Sequence, residues 1–252
     1  MPTRPETGPK LGLQSGTAIR HAGLEVLRGD ISSCRACPRL VAWREQVAVE
    51  KRASFRDEMY WGRGVAGFGD SSARLLVLGL APAANGANRT GRVFTGDRSG
   101  DWLFRALHRA GVANQPTSTD RHDGLILKGA WVASAVRCAP PANKPEPIER
   151  ANCLPFLHRE VRLLTEVRVI LLLGQFAYDV VRRDLAVPGS KVPKFGHGVE
   201  ATLTLSDARE IDMVCSYHPS QRNTSTGTLT EPMLDAVVAR AVDLAQRHPG
   251  HG

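Results

Sequence analysis

One carboxylate, one amide and one imidazole stand out in this chain, because each sits in a polar segment directly after a short apolar run. Asp97 ends the stretch Gly79 to Asp97, GLAPAANGANRTGRVFTGD, which follows Leu75-Leu76-Val77-Leu78 and holds three further glycines. The same stretch carries one aromatic ring, Phe94, and two cations, Arg89 and Arg92. A ring to stack, cations to anchor and a carboxylate beside the reacting atom would suit a flat ligand joined to a phosphate backbone. A surface loop of ordinary function has the same composition. Asn143 lies in Val136-Arg137-Cys138-Ala139-Pro140-Pro141-Ala142-Asn143-Lys144-Pro145, where its amide could orient a water or simply shape a proline-rich turn. His218 opens His218-Pro219-Ser220-Gln221-Arg222-Asn223-Thr224 and could donate to a developing anion. Ser220, Gln221, Arg222 and Asn223 have phosphate-contacting chemistry, although a capping turn before the last helix would also use them.

The five cysteines pose a separate question. Cys34 and Cys37 form a CxxC pair followed by Pro38; Cys138 and Cys153 lie far downstream, and Cys138 precedes Pro140-Pro141. Four such thiols can hold tetrahedral zinc or an iron–sulfur cluster, and spacing alone does not separate the two from each other or from buried free thiols. Cys215, inside an apolar run, reads as a small core residue.

These residues need a scaffold. Four short, nearly continuous apolar runs, Leu75 to Leu80, Ala130 to Val136, Val167 to Leu173 and Ile211 to Tyr217, have the character of parallel strands covered on both faces. Helical spacing occupies Ser99 to Ala110, Pro147 to Leu164, Gln175 to Leu185 and a last segment beginning near Thr230-Glu231-Pro232, an N-cap followed by a first-turn proline. Thr17 to Arg28 and Arg39 to Arg56 add two helices; Tyr60 to Asp70 reads as loop, and Val199 to Leu205 alternates as an extra edge strand would. The alternation predicts an α/β fold, an open sheet with right-handed crossovers. The three polar segments would then open at one edge, where such sheets bind ligands. Residues 1–17, rich in Pro, Gly and Thr, are expected to be a mobile tail before one domain over 18–247.

Charge narrows the partner. Lys and Arg number 33 against 25 acids, a formal charge of +8, which favours a polyanion such as nucleic acid. No run approaches the roughly 20 apolar residues of a membrane helix and no secretory pattern opens the chain, so the expected location is the cytoplasm, associated with the nucleoid, without a membrane partner.

GLAPAANGANRTGRVFTGD, AVRCAPPANKP, SYHPSQRNTSTGTLT and the four cysteines together resemble the uracil-DNA glycosylase superfamily, specifically its type-b group, family five, over roughly Ser33 to Arg240. The resemblance implies a three-layer α/β/α sandwich on a small parallel four-stranded sheet, in a monomeric DNA-repair hydrolase that cleaves the N-glycosidic bond of uracil and leaves an abasic site. It implies a structural [4Fe–4S] cluster on Cys34, Cys37, Cys138 and Cys153. It makes Asp97 the acid near the sugar, Asn143 its water-positioning partner, His218 the donor to the base and Phe94 the ring that stacks on the extruded base. Two departures matter for the base pocket. Many relatives carry a carboxylate or amide where this chain has Ala81, so the acid's duty falls to Asp97. Uracil-specific relatives place asparagine four residues before the third cysteine, where this chain has Ser134. A shorter polar group should relax discrimination and admit hypoxanthine, xanthine or modified uracils. Arg89, Arg92 and Ser220 to Asn223 are expected to contact DNA. Asn85 stands where relatives often have histidine, with no role assigned. Two alternatives remain: a non-catalytic iron–sulfur nucleic-acid-binding module and a zinc-stabilised nucleotide hydrolase.

Overall fold

A computed structural model describes residues 11–247. The expected tail lies outside the described residues for 1–10, but 11–17 already belong to the first helix, α1 (Leu11–Ser33), which starts earlier than Thr17. Next come α2 (Pro38–Glu50), a two-residue strand β1 (Phe68–Gly69), β2 (Leu75–Gly79), a one-turn helix α3 (Ala87–Thr90) and α4 (Arg98–Arg109). The second half holds β3 (Ala130–Ser134), α5 (Pro147–Leu163), β4 (Val169–Leu173), α6 (Gln175–Val180), β5 (Glu200–Thr204), β6 (Glu210–Ser216), α7 (Gln221–Ser225) and α8 (Glu231–Arg247).

The strands form one sheet in the order β1-β3-β2-β4-β6-β5. The expected parallel four are its centre, β3-β2-β4-β6, and antiparallel β1 and β5 close the two edges, so the sheet has six strands rather than four. Every residue of β2, β3 and β4 is buried, which is why these strands read as unbroken apolar runs. β5 alternates because only one of its faces is covered. β1 is too short to have any period.

Alternate side chains of each central strand enter opposite layers. Leu75 and Val77 join α4 and α8 in one core, with Leu103, Leu107, Leu234 and Val238. Leu76 and Leu78 join α1, α5 and α6 in the other, with Leu24, Leu157, Val161 and Val180. The molecule is therefore an α/β/α sandwich. The two cores leave the carboxyl ends of β2, β3 and β6 free to carry loops. α8 begins as its sequence indicates, the Thr230 hydroxyl accepting from the Met233 amide at 3.4 Å. None of the described helices is long and apolar enough to cross a membrane.

Candidate active site

The loops after β2, β3 and β6 meet around one cavity of about 370 Å³, whose walls include Ala81, Phe94, Asp97, Asn143, His218, Ser220 and Gln221. Each arrives there by a different local device. Asp97 is the N-cap of α4: its Oδ1 accepts from the Gly100 amide at 3.0 Å, an orphan donor of the first helical turn. The other carboxylate oxygen lies against the backbone of Gly86, so close that a β-carbon there would stand 2.0 Å from it. Phe94 sits on Gly79, where a β-carbon would come within 2.5 Å of the ring. Asn143 ends a single turn, Pro141–Asn143. Ser220 caps α7 by accepting from the Asn223 amide at 3.3 Å.

Phe94 and Asn143 both have positive φ, 52° and 56°. Left-handed backbone at a non-glycine residue costs on the order of 1–3 kcal/mol and persists where the surroundings impose it. Two of the site's side chains are thus aimed by strained backbone.

Burial acts oppositely on the two ionisable groups. It raises the Asp97 carboxyl above its usual range, against the lowering effect of the Gly100 and Ser99 amides. It lowers the half-buried His218 imidazole to about 4, so the ring is neutral at pH 7. The His218 ring lies 5.9 Å from that of Phe94, tilted by 31°.

Four expectations need correction. Arg89 and Arg92 are not DNA-facing cations: they are 8% and 6% exposed. Arg89 pairs with Glu58 and donates to the carbonyls of Asn85 and Gly96. Arg92 pairs with Asp123 at 2.7 Å and donates to Thr95 and Ser118. They stiffen the loop from within. Asn223 spends its amide on the His218 carbonyl at 2.9 Å, which holds the histidine segment rather than a phosphate. Ser134 is buried at the end of β3, opposite Gly79 and off the cavity wall, and its hydroxyl has no hydrogen-bond partner among the described residues. Asn85 acquires a role: its Oδ1 accepts from the Tyr60 hydroxyl at 2.9 Å, tying the loop to the segment after α2. The cations that do stand around the cavity are exposed: Arg98 in its wall, Lys144 beside Asn143 and Arg222 beside Gln221. Of these, Arg98 and Lys144 carry no sequence signal beyond adjacency to Asp97 and Asn143.

The cysteines gather behind the cavity. Cys34, Cys37, Cys138 and Cys153 line one enclosed pocket, and Cys37, Cys138 and Cys153 share a small core with Leu40 and Val136. Ala81, on the cavity wall, packs against the same core. Three sulfurs receive N–H donors: Cys138 from Arg44 Nη1 at 2.8 Å, Cys37 from Asn152 Nδ2 at 3.4 Å and Cys153 from the Arg137 amide at 3.5 Å. Arg44 is 2% exposed and has no carboxylate partner among the described residues. Burying a permanent cation is costly unless an anion answers it, and the groups it meets are the Cys138 sulfur and, at 2.9 Å, the Cys34 carbonyl. That donor set fits an anionic thiolate-bound cluster. Among the described residues no three His, Cys, Asp or Glu side chains are placed to hold a single metal ion. Cys215 is buried in the sheet, as its apolar run implies.

With this geometry in hand, the comparisons with known proteins are consistent. The family model described as "Uracil DNA glycosylase superfamily" matches residues 66–241. Proteins named "Type-5 uracil-DNA glycosylase" are similar along most of their length. That of Mycobacterium tuberculosis is 53% identical over 216 residues, 85% of this chain and 79% of the relative. That of Mycobacterium leprae is 52% identical over 220 residues, 87% and 94% of the two chains. That of Thermus thermophilus is 48% identical over 215 residues, 85% and 95%. A cavity walled by a carboxylate, an amide, an imidazole and an aromatic ring lies at the open edge of an α/β/α sandwich, and the chain, this similar to those relatives, belongs to the type-5 group of the uracil-DNA glycosylase superfamily.

Proposed function

We propose that this protein removes uracil from DNA by hydrolysing its N-glycosidic bond, leaving an abasic site, and that it also accepts hypoxanthine, xanthine or modified uracils. The observation that carries the proposal is the single cavity shared by Asp97, Asn143, His218 and Phe94.

A base inside a duplex is out of reach, so the nucleotide must swing out of the stack into this cavity. Phe94 offers a ring face to the extruded base. As the glycosidic bond stretches, the sugar becomes cationic and the base gains negative charge, as in glycoside hydrolysis. Ionised Asp97 stabilises the sugar and, with Asn143, holds the attacking water. His218, neutral at pH 7, donates one N–H to the departing base oxygen. A neutral donor suits this task, because it stabilises the departing base anion by a hydrogen bond and keeps its proton, so the base leaves as the anion while Asp97 takes the proton of the attacking water. Ala81 offers no polar atom to either reacting partner, which leaves Asp97 as the carboxylate in the wall. Ser134, buried beside the Phe94 support and off the cavity wall, presents no amide that would read one base edge, which supports the broader specificity. One short hydroxyl discriminates less than a bidentate amide.

We further propose that Cys34, Cys37, Cys138 and Cys153 hold a [4Fe–4S] cluster whose contribution, when bound, is to cross-link the segments behind the cavity. The N–H donors on three of the sulfurs support this reading.

The test is single-turnover cleavage of duplexes carrying uracil, hypoxanthine or no lesion. Uracil and hypoxanthine should both be released and the undamaged duplex left intact. Uracil release without hypoxanthine release would refute the broad specificity, and release of neither the activity. His218→Ala should slow uracil release on the order of 10²–10³-fold, the usual cost of one preorganised donor.

A further inference from the structure

Away from the cavity, two guanidinium groups converge on one indole. Arg121 lies 4.7 Å and Arg63 5.5 Å from the centre of the Trp61 ring. Both arginines are exposed, and neither has a carboxylate partner among the described residues. Arg121 donates its Nε–H to His122 Nε2 at 3.0 Å and is otherwise exposed. Trp61 itself is fixed: its amide donates to the Arg89 carbonyl, its ring N–H to the Gly64 carbonyl at 3.0 Å, and Gly91 lies against the ring. The indole is the shared wall of two grooves. One, of about 430 Å³, is lined by Arg28, Phe68, Arg121 and His122. The other, of about 800 Å³, is lined by Arg35, Tyr60 and Arg63. The acids here are already engaged: Glu45 pairs with Arg35, Glu25 with Arg28 and Asp123 with Arg92.

We propose that this Trp61-centred groove is a second binding site, for the phosphodiester backbone of single-stranded DNA, with Arg63 and Arg121 as its phosphate anchors. A concave, cationic track with aromatic walls is the usual chemistry for an unpaired strand, whereas a duplex presents a broad convex face. Position agrees. Trp61 and Gly62 donate to the carbonyls of Arg89 and Asn88, on α3, and the residue before α3, Gly86, touches the Asp97 carboxylate. The groove thus lies on the outer side of the one-turn helix whose start abuts the catalytic carboxylate. It also supplies cations that Arg89 and Arg92, being buried, do not. The inference rests on the proposal that DNA is the substrate.

The test is the binding of a fluorescein-labelled, undamaged 12-nucleotide oligothymidylate, read by anisotropy across a salt series. Arg63→Ser/Arg121→Ser should bind about tenfold more weakly at low salt and lower the log–log salt slope by roughly 1.4, two phosphates at about 0.7 each. Arg162→Ser/Lys191→Ser, which removes equal charge from exposed positions elsewhere, should leave the slope near wild type. Single-turnover uracil release at saturating enzyme should be the same in all three proteins. An unchanged slope in Arg63→Ser/Arg121→Ser overturns the proposal, as does an equal fall in the control. Wild-type protein that binds the oligomer but releases no uracil would sink the proposed activity and leave the groove standing.

Discussion

Asp97 and His218 share a cavity, yet burial drives each toward its neutral form by moving their pKa values in opposite directions. The consequence for catalysis is a pH profile with one limb. On the proposed mechanism excision requires ionised Asp97, so the single-turnover rate should rise with pH through a midpoint above the usual carboxylate range. Above that midpoint no falling limb should appear near neutrality, because His218, with a pKa of about 4, has already lost its proton. A falling limb centred near the ordinary imidazole value of about 6.5 would mean that the imidazolium is the working form. The sign for stability follows. A carboxyl raised above its unfolded value loses stability as pH climbs through that window, so ionised Asp97 is held at a cost at pH 7. Asp97→Asn keeps a good helix cap while removing the charge. That variant should melt at or above the wild-type temperature and excise uracil on the order of 10²–10⁴-fold more slowly. Wild-type cleavage by Asp97→Asn would reduce the residue to a cap for α4. At this scale the residue types were legible and four environments were not, those of Arg89, Arg92, Ser134 and Asn223. Arg89 and Arg92 each pair with an acid 31 positions away, and nothing local marks a loop arginine as internal.

The elements explain why the site holds its shape. β2, β3 and β6 are parallel members of one sheet, so their carboxyl ends open together and three distant segments share a cavity. The central strands are readable in the sequence because both faces are covered, and the edges less so, because β1 has two residues and β5 one buried face. Short, strained connections cannot be read this way: the left-handed backbone at Phe94 and Asn143 is imposed by packing, not by glycine. The turn into α3 sets the tightest limit. A methyl group at Gly86 would collide with the Asp97 carboxylate. Gly86→Ala should therefore lower single-turnover excision about 10²-fold, the cost of displacing a reacting group by roughly 1 Å. Binding to abasic DNA should change far less. Equal loss of both would show that the turn itself had come apart.

Across the whole molecule, charge and the cysteine pocket decide behaviour. Much of the arginine complement is internal or paired with acids, so the net charge of +8 overstates the cationic face available to DNA. The cysteine pocket is joined to the Asp97 loop through Arg44 as well as through Ala81. Arg44 reaches Cys138 with its guanidinium, while its own carbonyl accepts from Asn88 Nδ2 at 3.1 Å, inside α3. Asn88→Ala should leave iron content unchanged and speed hydrogen exchange of amides 85–97, measured by mass spectrometry. Unaltered exchange would show that the link transmits nothing. On the cluster proposal, Arg44 also makes the Asp97 loop answerable to iron: without the cluster its guanidinium would lie enclosed with no counter-anion, and the contact it makes to α3 would be weakened. Protein made in iron-starved cells would then excise uracil more slowly, molecule for molecule, than protein made with iron in plenty.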